Sequence, residues 1–279
     1  MSKTFQKLFF CFLLLSATTL TQAQFSGNGS GTPSDPYIIT TPAQLNEVRN
    51  DMEVHYKLQN DIDLTDYLAP GGDGYKQWGD TGWKPIGHYN TMFDWADFTG
   101  SFNGAGYKII GLWINRPNEM RIGFFGQTYN VTIDSLGIEI AEAGIKGGGH
   151  ATIGGLVGSQ VGLSDNINHC YVTGGGISQY GASSFAIHAV GGLVGYKAGT
   201  INRCYATVDV YSDDGVAGGL VGYNGFGYIN NCYVTGNVTS SSSIVGGLAG
   251  WQDSGGTRIN NCYAVGNISG TYAGGLVGQ

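Results

Sequence analysis

Residues 192–206 read GLVGYKAGTINRCYA, and residues 219–234 read GLVGYNGFGYINNCYV. Both stretches open on a Gly-Leu-Val-Gly block and close on an Ile-Asn-x-Cys-Tyr block. Across the chain the first block begins at Gly155, Gly192, Gly219, Gly247 (as GLAG) and Gly275, at intervals of 37, 27, 28 and 28 residues. A diverged copy, Gly123-Phe124-Phe125-Gly126, starts 32 residues earlier than the first. The second block reads INHCYVTG from Ile167, INRCYATV from Ile201, INNCYVTG from Ile229 and INNCYAVG from Ile259. After Gly126 the chain offers Ile133-Asp134-Ser135-Leu136, with leucine in the cysteine slot. Self-similarity at a fixed period marks a repeat architecture.

No helix suits this unit, because each interior glycine destabilises a helix by ~1 kcal/mol relative to alanine. Short runs rich in Val, Ile, Tyr and Thr, bounded by Gly, Asn, Ser and Asp, read as strands and turns. The expected fold is all-β, a parallel β-helix (β-solenoid) of GLVG repeats. A period near 28 suits one coil of roughly three short strands at ~3.3 Å rise per residue, and some six to eight coils are expected. Equivalent positions in stacked coils form columns. Leu156, Leu193, Leu220, Leu248 and Leu276 make one interior column, and Ile167, Ile201, Ile229 and Ile259 a second. Cys170, Cys204, Cys232 and Cys262 make a third, with Val172, Ala206, Val234 and Ala264 two residues on and therefore on the same face. Tyr171, Tyr205, Tyr233 and Tyr263 then point outward. Asn168, Asn202, Asn230 and Asn260 are placed at the corner, where a short amide can bond a neighbouring backbone or the next amide. The glycines beside each leucine are expected to allow positive φ and close approach between coils.

The start of the chain reads as a removable secretion signal over residues 1–23. Lys3 and Lys7 precede the apolar run Leu8–Leu15, and Thr21-Gln22-Ala23 offers a small-residue cleavage site. That run is shorter than the ~20 residues a membrane span needs, and no later stretch is expected to span a membrane. Losing Lys3 and Lys7 takes the formal charge from −7 to −9. An acidic chain lacks the basic surface that nucleic acid requires. Residues 24–121 read as an N-terminal cap with the first coils. Residues 122–279 read as the repeat solenoid, which stops one block into a new repeat and is expected to be truncated there or to stack end to end on another copy. A short helix is expected at Pro42–Arg49, with Thr41 as N-cap and Pro42 at its first position.

The five G-L-(V/A)-G blocks and four I-N-x-C-Y blocks resemble the GLUG-repeat family. The preceding order is also similar to the region before such repeats in bacterial surface proteins. It runs Asp35-Pro36-Tyr37-Ile38-Ile39, Gln44-Leu45, Asn60-Asp61-Ile62-Asp63-Leu64, Trp83-Lys84-Pro85-Ile86-Gly87, then Phe98 to Tyr107. The resemblance covers nearly all of the mature chain. It implies an exported surface scaffold of the kind found in adhesin-like proteins and in the non-catalytic regions of immunoglobulin A metallopeptidases. The peptidase chemistry is not carried over: a zinc peptidase needs a pattern such as H-E-x-x-H, and none of the five histidines is followed by Glu. No metal or cofactor is expected.

Several residues invite a binding role. Between Tyr67 and Phe98 the strand pattern breaks off, and Trp78, Trp83 and Trp95 gather with Asp73, Asp80, Asp94 and Asp97. Aromatic plates beside carboxylates suit sugar recognition, while a folded cap over the open coil end would shield strand edges. Both readings stand. Likewise Tyr171, Tyr205, Tyr233 and Tyr263 form either a glycan track or a ladder of stacked rings. Asp61 and Asp63 flank Ile62 on one face, yet no third group completes a catalytic or calcium pattern. The four cysteines could form two disulfides, but in-register parallel side chains do not point at one another, which favours buried free thiols. Three functions follow. The first is a non-catalytic surface scaffold or adhesin-like module that contacts a glycan or a host surface protein. The second is a carbohydrate-binding accessory region of a larger secreted enzyme. The third is a polysaccharide-degrading β-helix enzyme. Against the third, Lys197, Arg203 and Arg258 are the only basic side chains beyond Ala151 besides histidines.

Overall fold

The computed structural model describes residues 25–91, 93–181, 188–241 and 244–279. The expected secretion signal, residues 1–23, lies outside the described residues.

The chain is a parallel β-solenoid with five complete turns between Arg121 and Ser269. Its third turn shows the plan: Ala189–Gly191, Val194–Lys197, Thr200–Asn202, Tyr205–Ala206 and Val210–Ser212. Strands at equivalent places pair in parallel from turn to turn, building sheets of six, five, eight and eleven strands. The expected three strands per turn is therefore too few. The Gly-Leu corner splits one side, and glycines such as Gly174, at φ +94°, split the tyrosine side. Six to eight coils is too many for complete turns. The asparagine face is the longest file, eight strands from Tyr37–Ile39 to Thr257–Asn260. Its first rungs come from the N-terminal region, where the other faces are interrupted.

In-register pairing builds the core. Tyr56, Phe102, Ile133, Ile167, Ile201, Ile229 and Ile259 form one column on the asparagine face. Leu156, Leu193, Leu220 and Leu248 are fully buried, while Leu276 keeps 36% of its surface exposed. Each such leucine contributes about 1.5–3 kcal/mol through burial of its side chain. The leucine sits in a corner and not in a strand, and its carbonyl has two jobs. Leu220 O accepts from Leu193 N at 2.9 Å and Val194 N at 3.0 Å, and Leu248 O accepts from Leu220 N and Val221 N at 2.9 and 3.0 Å.

The glycines of this block differ from expectation. None of the eight in the first four blocks has a positive φ. Close packing alone requires them: a Cβ on Gly192 would lie 2.2 Å from Gly219 O, and one on Gly222 would lie 2.6 Å from Val190 N. The left-handed corner lies elsewhere, at the x of I-N-x-C. Ser135, His169, Arg203, Asn231 and Asn261 all have φ between 52° and 55°. The asparagines expected at the corner end the preceding strand instead. Their carbonyls take the N–H of the left-handed residue one turn back, as Arg203 N to Asn230 O at 3.0 Å. Asparagine suits the left-handed region because its amide bonds locally. A short amide ladder runs here: Asn261 Nδ2 donates to Asn231 Oδ1 at 2.6 Å, and Asn231 Nδ2 to Asn202 Oδ1 at 2.9 Å.

The four cysteines are free thiols, the first three buried. They do more than fill space. Cys204 Sγ accepts from Cys170 N at 3.4 Å and donates to Asn202 O at 3.3 Å, and the pattern repeats at Cys232. Burial raises the Cys204 thiol well above its ordinary pKa, so it stays protonated.

The N-terminal region carries α1 (Pro42–Glu47), a single helical turn at Thr65–Leu68, and α2 (Asp73–Trp78). Helix α1 begins as expected, with Pro42 in its first turn and Thr41 Oγ1 accepting from Gln44 N at 3.2 Å. Leu45, Leu64 and Leu68 are buried beneath these segments.

Candidate functional site

Segment 82–98 sets the site. Ile86 bridges Phe125 and Phe98 bridges Thr128, both in parallel, so the segment begins and ends against the first GLVG-face strand. Between these anchors it leaves the solenoid as an antiparallel hairpin, His88–Thr91 with Asp94–Ala96. Gly87, φ +74°, starts the departure, and a Cβ there would lie 2.5 Å from Gln127 O. Three side chains steady the hairpin: His88 Nε2 lies 3.0 Å from Asp94 Oδ1, the Arg121 guanidinium 5.4 Å from the centre of the Tyr89 ring, and Asp97 Oδ1 accepts from Gln127 Nε2 at 2.7 Å.

The hairpin walls a groove of about 870 Å³, lined among others by Asp51, Glu53, Trp95, Asp97 and Tyr129. Trp95 is 56% exposed and Tyr129 47%. The floor is backbone: Met52 O accepts from Thr99 N and Gly100 N at 2.9 Å each. A Cβ on Gly100 would fall 1.9 Å from Val54 O, so only glycine lets the rungs close there. Arg49 also lines it, so three carboxylates against one guanidinium leave the groove net negative, which favours neutral or cationic occupants over anions.

The expected tryptophan triad is not brought together. Trp83 is fully buried, stacked on Phe124 at 5.6 Å, with its Nε1 donating to Phe124 O at 3.2 Å. Trp78 packs edge-on against it at 5.3 Å. Arg49 lies over both, 5.1 Å from Trp78 and 4.5 Å from Trp83. Its guanidinium donates to Asn46 Oδ1 and to the carbonyls of Pro85 and Lys84, tying α1 to the loop before the hairpin. Burial is the main cause that brings Arg49 down to about 9. Trp95 alone faces the groove. Asp80 accepts from Tyr75 OH at 2.9 Å beside α2, and Asp94 pairs with His88. Asp61 and Asp63 are held by backbone, accepting from Lys108 N at 3.0 Å and Thr65 N at 2.8 Å.

Tyr171, Tyr205, Tyr233 and Tyr263 stack face to face at 5.0, 4.8 and 5.3 Å, with interplanar angles of 4°, 7° and 8°. The ring faces between neighbours are therefore covered by other tyrosines. Gly137 precedes them in register, and a Cβ there would strike the Tyr171 ring at 2.3 Å. A second ladder, Tyr196, Tyr223 and Trp251, was not anticipated from the sequence; its rings are 5.5 and 6.2 Å apart. The aromatic residue that follows three successive blocks, Tyr196, Tyr223 and Trp251, carried that signal. Sequence reading also missed Asp165, buried at the corner beside Tyr129. It accepts from Val131 N at 2.9 Å and Thr128 Oγ1 at 3.1 Å, and burial raises it to about 6. Among the described residues, no group of three or more His, Cys, Asp or Glu side chains could hold a metal ion, and no helix is long and apolar enough to cross a membrane.

Known proteins are similar to parts of this chain. The GLUG motif matches residues 214–239. A protein of Evansella cellulosilytica, described as a candidate Gly-rich membrane protein, is 37% identical over 154 residues, 52% of this chain and 15% of its own. Halomucin of Haloquadratum walsbyi is 35% identical over 150 residues, 53% of this chain and 1% of its own. The chain thus spans a small part of these curated relatives. A Bacteroides ovatus crystal structure, described as that of a candidate immunoglobulin A1 protease, superposes with a TM-score of 0.68 at 24% identity. It covers 90% of this chain and 73% of its own, a likeness of fold. The repeat blocks, the left-handed I-N-x-C corner and the motif match over residues 214–239 together show that this chain carries the GLUG motif.

Proposed function

We propose that this chain is an exported, non-catalytic surface module whose N-terminal groove binds a glycan. One observation carries the glycan reading: Trp95 and Tyr129 stand exposed at a groove edged by Asp51, Glu53 and Asp97. Exposed aromatic faces stack on sugar rings, and adjacent carboxylates accept hydrogen bonds from sugar hydroxyls. The rigid backbone floor preorganises the site, which limits the entropy lost on binding. Export is supported by the expected leader and by the relative described as a candidate Gly-rich membrane protein. A scaffold role, not catalysis, is supported by the backbone partners of Asp61 and Asp63, the carboxylate pair that acid–base chemistry would use.

The test is a glycan array probed with the wild-type chain and with the Trp95→Ala/Tyr129→Ala double variant. Binding of uncharged glycans by the wild type, lost in the double variant with the melting curve unchanged, is expected. Equal binding by both proteins removes the groove from consideration.

A further inference from the structure

Tyr129, at the edge of the groove, is also the first of a row of exposed apolar side chains. The corner between the GLVG face and the asparagine face carries an exposed apolar side chain in three of the first four turns. These are Tyr129 in the first, Leu163 in the second and Phe226 in the fourth, exposed by 47%, 65% and 45%. Tyr228, 45% exposed, adjoins Phe226. The backbone shows that these corners are stacked. Val161 N donates to Thr128 O at 3.0 Å, Ala198 N to Gln160 O at 2.8 Å, and Phe226 N to Lys197 O at 3.3 Å. The third turn carries only Ala198 and Gly199 at this corner, which leaves a notch in the ridge.

Rungs are ~4.8 Å apart, so Leu163 and Phe226 stand ~10 Å apart and the ridge from Tyr129 to Phe226 runs ~14 Å. One residue into the asparagine face, Thr132, Asn166 and Thr200 stand in register and point away from the core. The corner thus presents a spaced apolar ridge flanked by a row of hydroxyl and amide groups, all on fixed backbone. Exposed apolar side chains repeated along one edge mark an interaction surface. In an extended β-1,4-linked chain alternate rings present the same face, so contacts two rungs apart fit alternate rings. The carboxylates at the head of the ridge disfavour a polyanion.

We infer, on the glycan reading of the groove, that the ligand is a linear uncharged polysaccharide lying along the solenoid axis. Trp95 and Tyr129 hold one segment, and Leu163 and Phe226 hold the next. Affinity therefore grows with chain length beyond what the groove itself accommodates.

Calorimetry on the full chain with uncharged β-1,4-linked gluco-, manno- and xylo-oligosaccharides tests this, with oligogalacturonate as the charged control. For at least one uncharged series, the octasaccharide is expected to bind about tenfold more tightly than the disaccharide. The Leu163→Ala/Phe226→Ala variant is expected to lose that gain while keeping disaccharide affinity. Equal affinity for short and long chains overturns the polymer inference and leaves the groove reading intact. No binding of any uncharged series overturns both. Tighter binding of oligogalacturonate overturns the choice of an uncharged ligand. Sedimentation closes the remaining route: a wild-type dimer that Leu163→Ala/Phe226→Ala converts to monomer assigns the ridge to a second copy and overturns the inference.

Discussion

Replacing Leu220 with alanine probes the column that holds the turns together. Leu220 is fully buried, and so are its neighbours in the column, Leu193 and Leu248. The surrounding corner has little freedom to collapse into the vacated space, because the Leu220 and Leu248 carbonyls each hold two N–H groups of the preceding turn. A poorly collapsing Leu→Ala site loses both transfer energy and cavity contacts, which places the loss at about 3–5 kcal/mol. Leu276 retains 36% of its surface exposed, so the same change there should destabilise by about 1–2 kcal/mol. Urea unfolding followed by circular dichroism measures both. With a slope of ~2–3 kcal/mol/M, Leu220→Ala should lower the midpoint by about 1–2.5 M, and Leu276→Ala by about 0.3–1 M. The reasoning fails if the two variants unfold alike, since the difference rests on burial alone.

At the left-handed corner, Asn231 has φ +55° and serves as both donor and acceptor in the amide ladder. Asn231→Val should destabilise by about 2 kcal/mol, while Asn231→Gly, which keeps the conformation, should destabilise by under half of that in the same unfolding assay. Lys197 is fully buried, and burial lowers it from 10.5 to about 7. Between those values the unfolded chain binds more protons than the folded one, so the Lys197 contribution to stability rises with pH from about 7 to 10.5. Below pH 7 its burial penalty is fully present. Lys197→Met should flatten that part of a stability–pH profile, and a slope unchanged in the variant would show that another group produces it.

Much of the fold was legible because the period repeats the same burial at the same position. The leucine, isoleucine and cysteine columns follow from spacing alone, and Thr41-Pro42 announces α1. Reading stopped where the physics is not periodic. The glycines beside the leucines look the same in sequence whether they supply positive φ or merely close packing, and only the backbone distinguishes these. The left-handed x position accepts Ser, His, Arg and Asn, so residue type alone conceals it. Lys197 sits inside, in register with Gln160 and Asn224, although a charged side chain is seldom fully buried. Before residue 121 the spacing gives no register. Trp78, Trp83 and Trp95, similar in sequence, therefore divide between the core and the groove for reasons that only the packing around Arg49 and the hairpin reveals.

The whole description depends on strands distant in sequence lying in register, turn upon turn. Methyl NOE spectroscopy on isoleucine-labelled protein tests this directly. Ile133, Ile167, Ile201 and Ile229 pair in that order, so strong cross-peaks should link each to the next and weaken at once for those two turns apart. Absence of that sequential chain, or strong contacts between Ile133 and Ile229, would contradict a stacked parallel solenoid.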